Sequence, residues 1–273
     1  MKKLIQVMRT FGFRGGFWLI VYKFLYPKLQ SFKSSLELLE WAEKHDAILR
    51  RKNRLVHLLG LPDFPKSSIW FRPFTSDSLV IRQHYFSHEL QPVVNYFRQI
   101  KKEPKLMIDA GGNIGVATRY MQEYFPGLKS IVIEAAGSNC AIAKLNLDPL
   151  RSTLWEKALW WRSEELNFNT NDSAWAIKVS DNSEKGRGKV KGISLSQILE
   201  SKEYSETDFI KIDIEGAEEK VFALDDRLKK LVTGVACITV EPHSELGIKL
   251  LTSKLVDWGY KVEYHGELIF GFR

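Results

Sequence analysis

Short apolar runs alternate with longer amphipathic stretches through most of this chain. Leu106-Met107-Ile108, Ile131-Val132-Ile133 and Val235 to Val240 are runs of the kind found in strands covered on both faces, and Phe209 to Ile214 reads as a further strand in which apolar residues alternate with Lys211 and Asp213. Between them the pattern lengthens. Ile114 to Phe125 predicts a helix capped by Asn113 and stopped by Pro126-Gly127, and Asn139–Leu147 and Leu195–Tyr204 predict two more. Strands alternating with helices predict an α/β fold, a doubly wound and mostly parallel sheet. Residues 153–194 read as β-rich, with Leu154 to Trp161 and Leu166 to Asn169 as strands and a polar tip near Asp181 to Gly188. Near the end, Leu255 to Trp258 predicts a helix, and Tyr260 to Tyr264 with Leu268 to Phe272 an antiparallel C-terminal hairpin.

The N-terminal part reads differently. Leu38, Trp41, Ile48, Leu49, Leu55, Val56 and Leu59 fall mostly on one face at helical spacing, with Glu40, Lys44, Arg51 and Arg54 opposite. Ser34 and Glu37 suit a capping box, and Gly60 and Pro62 a stop, so one helix is expected over 35–59. Ile69 to Arg72 predicts a strand, and Ser76 or Asp77 the cap of a short helix. The expected organisation is an N-terminal helical extension, basic and aromatic, over 1–60. An entry segment over 61–105 and the α/β domain over 106–273 follow.

Composition narrows the partners. Residues 1–60 hold 12 Lys/Arg against 4 Asp/Glu, and the rest of the chain 28 against 29, so the formal charge of +7 belongs to the extension. A nucleic-acid enzyme carries its basic surface near its site, so no nucleic acid is expected as substrate. Phe17 to Tyr22 is far too short to cross a bilayer, which takes about 20 apolar residues. With no small-residue cleavage site after it, the expected location is cytoplasmic. Residues 1–33 either lie at a membrane surface, with Trp18, Tyr22 and Tyr26 at headgroup level, or pack on the main domain or a second subunit. The two cysteines, Cys140 and Cys237, read as buried thiols without disulfide or zinc spacing.

Candidate chemistry gathers at the ends of the apolar runs. Gly111, Gly112 and Gly115 make a turn after the first, but with G-G-x-x-G spacing rather than that of a dinucleotide or phosphate loop. Asp109 precedes the turn and suits an ammonium, while Glu134 ends the next strand, where a carboxylate accepts hydrogen bonds from ribose hydroxyls. This combination suits a nucleoside ligand with an amino-acid end and no phosphate chain. Lys211, Asp213 and Glu215 share one face of a strand by its period of two, and Glu218 begins the helix beyond, where its charge suits the dipole. The following strand ends in Glu241-Pro242-His243, so Asp213, Glu215, Glu241 and His243 are expected to meet at adjacent strand ends.

Three runs carry a resemblance to the FkbM-type methyltransferase family: Ile108 to Gly115, Val132 to Glu134, and Ile210 to Glu218, the last the most specific. A weaker match lies at Arg72 to Asp77, and the likeness departs at Ala135 to Ser138, where the family often has prolines. The resemblance implies a Rossmann-like methyltransferase sheet. It implies S-adenosylmethionine as cofactor, held by Asp109, Gly111, Asn113, Gly115 and Glu134. It also implies a small-molecule or saccharide acceptor: a hydroxyl of a sugar, glycoconjugate or secondary metabolite. The segment around Arg72 and Asp77 would lie near the mouth of the site, where Arg72 either touches the acceptor, as Glu215 is expected to, or pairs with Asp77. His243 is the expected general base, with Asp213 or Glu241 as alternative base or orienting group. A divalent metal held by Asp213, Glu215, Glu241 and His243 is a further alternative that the reading does not adopt. Competing readings are a dinucleotide-dependent oxidoreductase, which the glycine spacing disfavours, and a non-catalytic nucleotide-binding scaffold.

Overall fold

A computed structural model describes residues 5–12, 30–61, 63–168, 179–180 and 188–273. Trp18, Tyr22, Tyr26, Trp175 and most of the expected tip at 181–188 lie outside the described residues. The chain divides into two compact units, Met1–His88 and Glu89–Arg273. The division falls at neither of the boundaries expected from sequence, 60 and 105.

In the first unit residues 5–12 are helical, and α1 (Gln30–Lys44) is followed by three strands, β1 (Ile48–Lys52), β2 (Leu55–Leu61) and β3 (Phe64–Phe71), and by α2 (Asp77–Tyr85). The single helix expected over 35–59 is therefore corrected. Helix α1 ends because Asp46 takes a left-handed φ of +57°, which lets Ala47 N–H bond back to Ala42 and Asp46 N–H to Glu43. Asn53, also at φ +57°, and Arg54 then form a two-residue turn that pairs β1 with β2 antiparallel. Val56 and Leu58 point inward while His57 and Leu59 are half-buried, so the apolar residues obey a period of two that helical spacing had mimicked. Ser76 occupies the N-cap of α2 without a side-chain bond; Asp77 instead accepts from the backbone N–H and guanidinium of Arg72.

The second unit opens with α3 (Gln91–Gln99) and continues β4 (Leu106–Ala110), α4 (Val116–Tyr124), β5 (Lys129–Glu134), α5 (Gly137–Asn146) and β6 (Ser152–Glu156). A smaller sheet follows from β7 (Ala158–Trp160), β8 (Glu165–Phe168), β9 (Val179–Ser180) and β10 (Gly188–Ser194), ordered β7-β10-β8-β9. The chain returns through α6 (Leu195–Glu200), β11 (Phe209–Ile212), α7 (Glu218–Leu224), α8 (Leu228–Leu231), β12 (Cys237–Val240), α9 (Glu245–Asp257) and the hairpin β13 (Lys261–His265) and β14 (Leu268–Phe272).

The main sheet is ordered β13-β14-β12-β11-β4-β5-β6. Strands β12 to β6 are parallel, β14 runs antiparallel to β12, and β13 antiparallel to β14. The double winding expected from sequence is therefore observed. Burial explains the apolar runs: β5, β11, β12 and β14 are buried along nearly their whole length, between helices that contribute Ile198, Leu199, Phe222, Leu251 and Leu255 to the core. From β4 the chain builds outward through β5 to β6, then crosses back to β11 on the other side. The order therefore reverses between β4 and β11, and a doubly wound sheet opens its ligand crevice at the carboxyl ends of such a pair.

Candidate active site

The crevice at that point is lined by Gly111, Asn113, Glu134, Asp213 and Glu215, with Ile214, Ala158 and Ala217 as apolar wall. Gly111 has φ +76°, and a Cβ on it would sit 1.6 Å from the Asp213 carbonyl oxygen, so only glycine lets the ends of β4 and β11 come this close. Gly111 and Gly112 N–H both donate to Ile133 O, which ties the turn to β5. The capping expectation for Asn113 is corrected. Helix α4 starts at Val116 with Gly115 (φ +81°) at the N-cap, and Asn113, itself at φ +49°, gives its backbone N–H to Glu134 at 2.8 Å. The Asn113 side-chain oxygen is buried without a hydrogen-bond partner.

Glu134 is 8% exposed and accepts from Asn113 N–H, Ala136 N–H (2.7 Å) and the Asn139 amide (3.3 Å). Burial pushes its carboxyl up, and these three donors oppose that. A carboxylate has about four lone-pair positions, so one acceptor position remains toward the crevice. Asp109 is fully buried and is not part of the crevice lining. Thr118 donates to one of its oxygens at 2.7 Å, and the ammonium of Lys211 lies 3.7 Å from the other.

The four polar residues expected at the strand ends do meet. His243 Nε2 lies 3.5 Å from Glu215, 3.9 Å from Glu241 and 4.0 Å from Asp213. The route differs from the expected one. Strand β11 stops at Ile212, and Glu215 sits in a left-handed turn at φ +59°, so Glu215 reaches the cluster through a turn rather than by strand alternation. Sequence reasoning gave Glu218 only a helix-dipole role, yet its buried carboxylate lies 3.4 Å from His243 Nδ1. Glu89, which no motif marks, has its carboxyl pushed up by burial and lies near enough to feel Lys211 and Asp213. Arg72 belongs to the first unit, where it is bound to Asp77 at 2.7 Å.

Both imidazole nitrogens of His243 thus face carboxylates. Hydrogen bonding to Glu215 and Glu218 holds the ring protonated, its pKa pushed up to about 11. This revises its expected role, because a general base must be neutral near pH 7. Glu241 moves the other way: burial and the Asp213 charge push its carboxyl up to about 8, against the pull of Lys211 and His243. Asp213, Glu241 and His243 each offer a ligand atom within 4.8 Å of one another. Burial works against the charge of Lys211, but Asp213 (3.4 Å), Asp109, Glu241 and Glu89 together outweigh it and raise its pKa.

Strand order, glycine turn and acidic strand ends together define a Rossmann-like methyltransferase fold. The chain belongs to the family of the methyltransferase FkbM domain, whose pattern matches residues 109–262. That family membership takes the place of the oxidoreductase reading. No curated protein matches the chain significantly. Among solved structures, the N-terminal domain of human METTL16 in complex with SAH is similar at 12% identity over 88% of this chain and 82% of that one, with a TM-score of 0.45. Precorrin-6y C5,15-methyltransferase from Geobacter metallireducens GS-15 is similar at 15% identity over 68% and 88%, with a TM-score of 0.41. Among the described residues, no helix is long and apolar enough to cross a membrane.

Proposed function

We propose that this protein is an S-adenosylmethionine-dependent O-methyltransferase acting on a hydroxyl of a neutral, saccharide-like acceptor. The observation that carries the reading is the meeting, at one switch point, of the glycine turn and Glu134 with the Asp213, Glu215, Glu241 and His243 cluster. The residues fit the cofactor: the Gly111 turn draws the ends of β4 and β11 together at the crevice, the Asn113 side-chain oxygen is buried and unpaired, and Glu134 keeps an acceptor position open. Gly111, Asn113, Gly115 and Glu134 would hold it, with Asp109 behind the turn. When bound, the cofactor supplies an electrophilic methyl group on sulfur.

The chain itself positions the acceptor and moves a proton. Glu241 titrates near neutrality and accepts the hydroxyl proton, a role that contributes about 10²–10⁴-fold in rate. His243 stays charged and stabilises the negative charge that grows on the acceptor oxygen. Asp213, Glu215 and Glu241 are 28%, 29% and 20% exposed, so the acceptor meets an acidic surface, which favours a neutral polyol over a phosphorylated one. Arg72, engaged with Asp77, is assigned a structural part in the first unit.

Calorimetric titration with S-adenosylmethionine, S-adenosylhomocysteine and NAD tests the reading. Micromolar binding of both sulfur ligands without NAD is expected. Binding of neither would overturn the cofactor assignment and bring forward the scaffold reading.

A further inference from the structure

The run Asp213-Ile214-Glu215-Gly216-Ala217-Glu218 is the most specific motif in the chain, and supplying carboxylates explains only part of it. Between β11 and α7 the backbone passes through Glu215 at φ +59° and Gly216 at φ +99°. A left-handed non-glycine residue is strained and persists only where its surroundings hold it. Glu218, 1% exposed, is what holds it. One of its oxygens accepts Ile214 N–H at 2.6 Å and the other Gly216 N–H at 2.9 Å. That second oxygen also faces His243 Nδ1 at 3.4 Å.

We propose that Glu218 is the positioning residue of this site: its buried carboxylate fixes the turn that carries Asp213 and Glu215, and orients the His243 ring so that Nε2 faces Asp213, Glu215 and Glu241. Two N–H groups and one ring nitrogen converge on a single carboxylate, so turn and imidazole are set together. A charge placed for the helix dipole alone needs neither contact. Among the described residues, the charged groups facing His243 are Asp213 and Glu215 from the turn, Glu218 from α7 and Glu241 from the end of β12, with Lys211 behind Asp213. The geometry stands apart from the assigned reaction; only its effect on turnover rests on the methyltransferase reading.

The test is nuclear magnetic resonance of the full chain labelled with 15N at histidine, beside calorimetry with S-adenosylhomocysteine. In the native protein both His243 ring nitrogens are expected to remain protonated at about pH 8, with a slowly exchanging Nδ1 proton. In Glu218→Gln, which keeps shape and loses charge, the His243 midpoint is expected to fall by about one pH unit or more. A His243 midpoint unchanged in Glu218→Gln overturns the proposal. So does a fast-exchanging Nδ1 proton in the native protein, a result that holds even if the variant fails to fold. Loss of S-adenosylhomocysteine binding in the native protein would instead fall on the cofactor assignment and leave the His243 result standing.

Discussion

Replacing Lys211 with methionine removes the positive charge that faces Asp109 inside the second unit. Asp109 is fully buried, with one oxygen bonded to Thr118 and the other without a hydrogen-bond partner, 3.7 Å from the lysine ammonium. The same ammonium lies 3.4 Å from Asp213. Removing one member of a buried ion pair leaves the other charged and uncompensated, at a cost of about 3–5 kcal/mol. Against a typical domain stability of about 5–15 kcal/mol this is a large fraction. At about 2–4 °C per kcal/mol for a domain of this size, the melting temperature should fall by roughly 6–20 °C. The assay is heat and urea unfolding at neutral pH of Lys211→Met, Asp109→Asn and the double variant. The double variant should recover part of the loss, because replacing both members of a buried pair is close to neutral. A Lys211→Met loss under about 1 kcal/mol, or losses that add in the double variant, would refute the assignment of Lys211 as the charge that compensates Asp109.

Glu134→Ala should weaken S-adenosylmethionine binding by about 1.5–3 kcal/mol, through loss of charged hydrogen bonds and of the acceptor that ties down Asn113 and Ala136 N–H; calorimetry at fixed salt reads this. Gly111→Ala should abolish cofactor binding, since its Cβ would overlap the Asp213 carbonyl at 1.6 Å and force β4 and β11 apart; native-like affinity would mean that the turn is not the cradle. Once an acceptor is found, the rate should rise with pH up to about 8 and level off above. Below that pH the Glu241 carboxyl is protonated and cannot accept a proton, so each unit lower costs about tenfold. Glu241→Gln should remove this limb and lower turnover by about 10²–10⁴-fold, and a pH profile that survives the exchange would move the base elsewhere.

The parallel core and the nucleoside end of the site were legible because they rest on local pattern. A strand covered on both faces is mostly apolar, so β5 and β12 announced themselves, as did β4 and β11 despite the Asp109 and Lys211 they carry, and the turn at Gly111 had to be glycine wherever it lay. The region from Ile48 to Leu59 was misread because its apolar residues satisfy both periods. Two left-handed residues, Asp46 and Asn53, decided for strands, and nothing in their side chains demands that conformation.

What the sequence by itself determined, then, was the set of chemical groups and the order in which strands deliver them to one end of a sheet. Which groups are charged was decided only by tertiary structure. Residue type gave His243 an ordinary imidazole and Glu241 an ordinary carboxylate. Placement between Glu215 and Glu218 made the first a cation, and burial beside Asp213 made the second the group that titrates near neutrality. Protonation depends on distances and solvent exclusion across chain segments far apart in sequence, and those exist only once the sheet has closed around them.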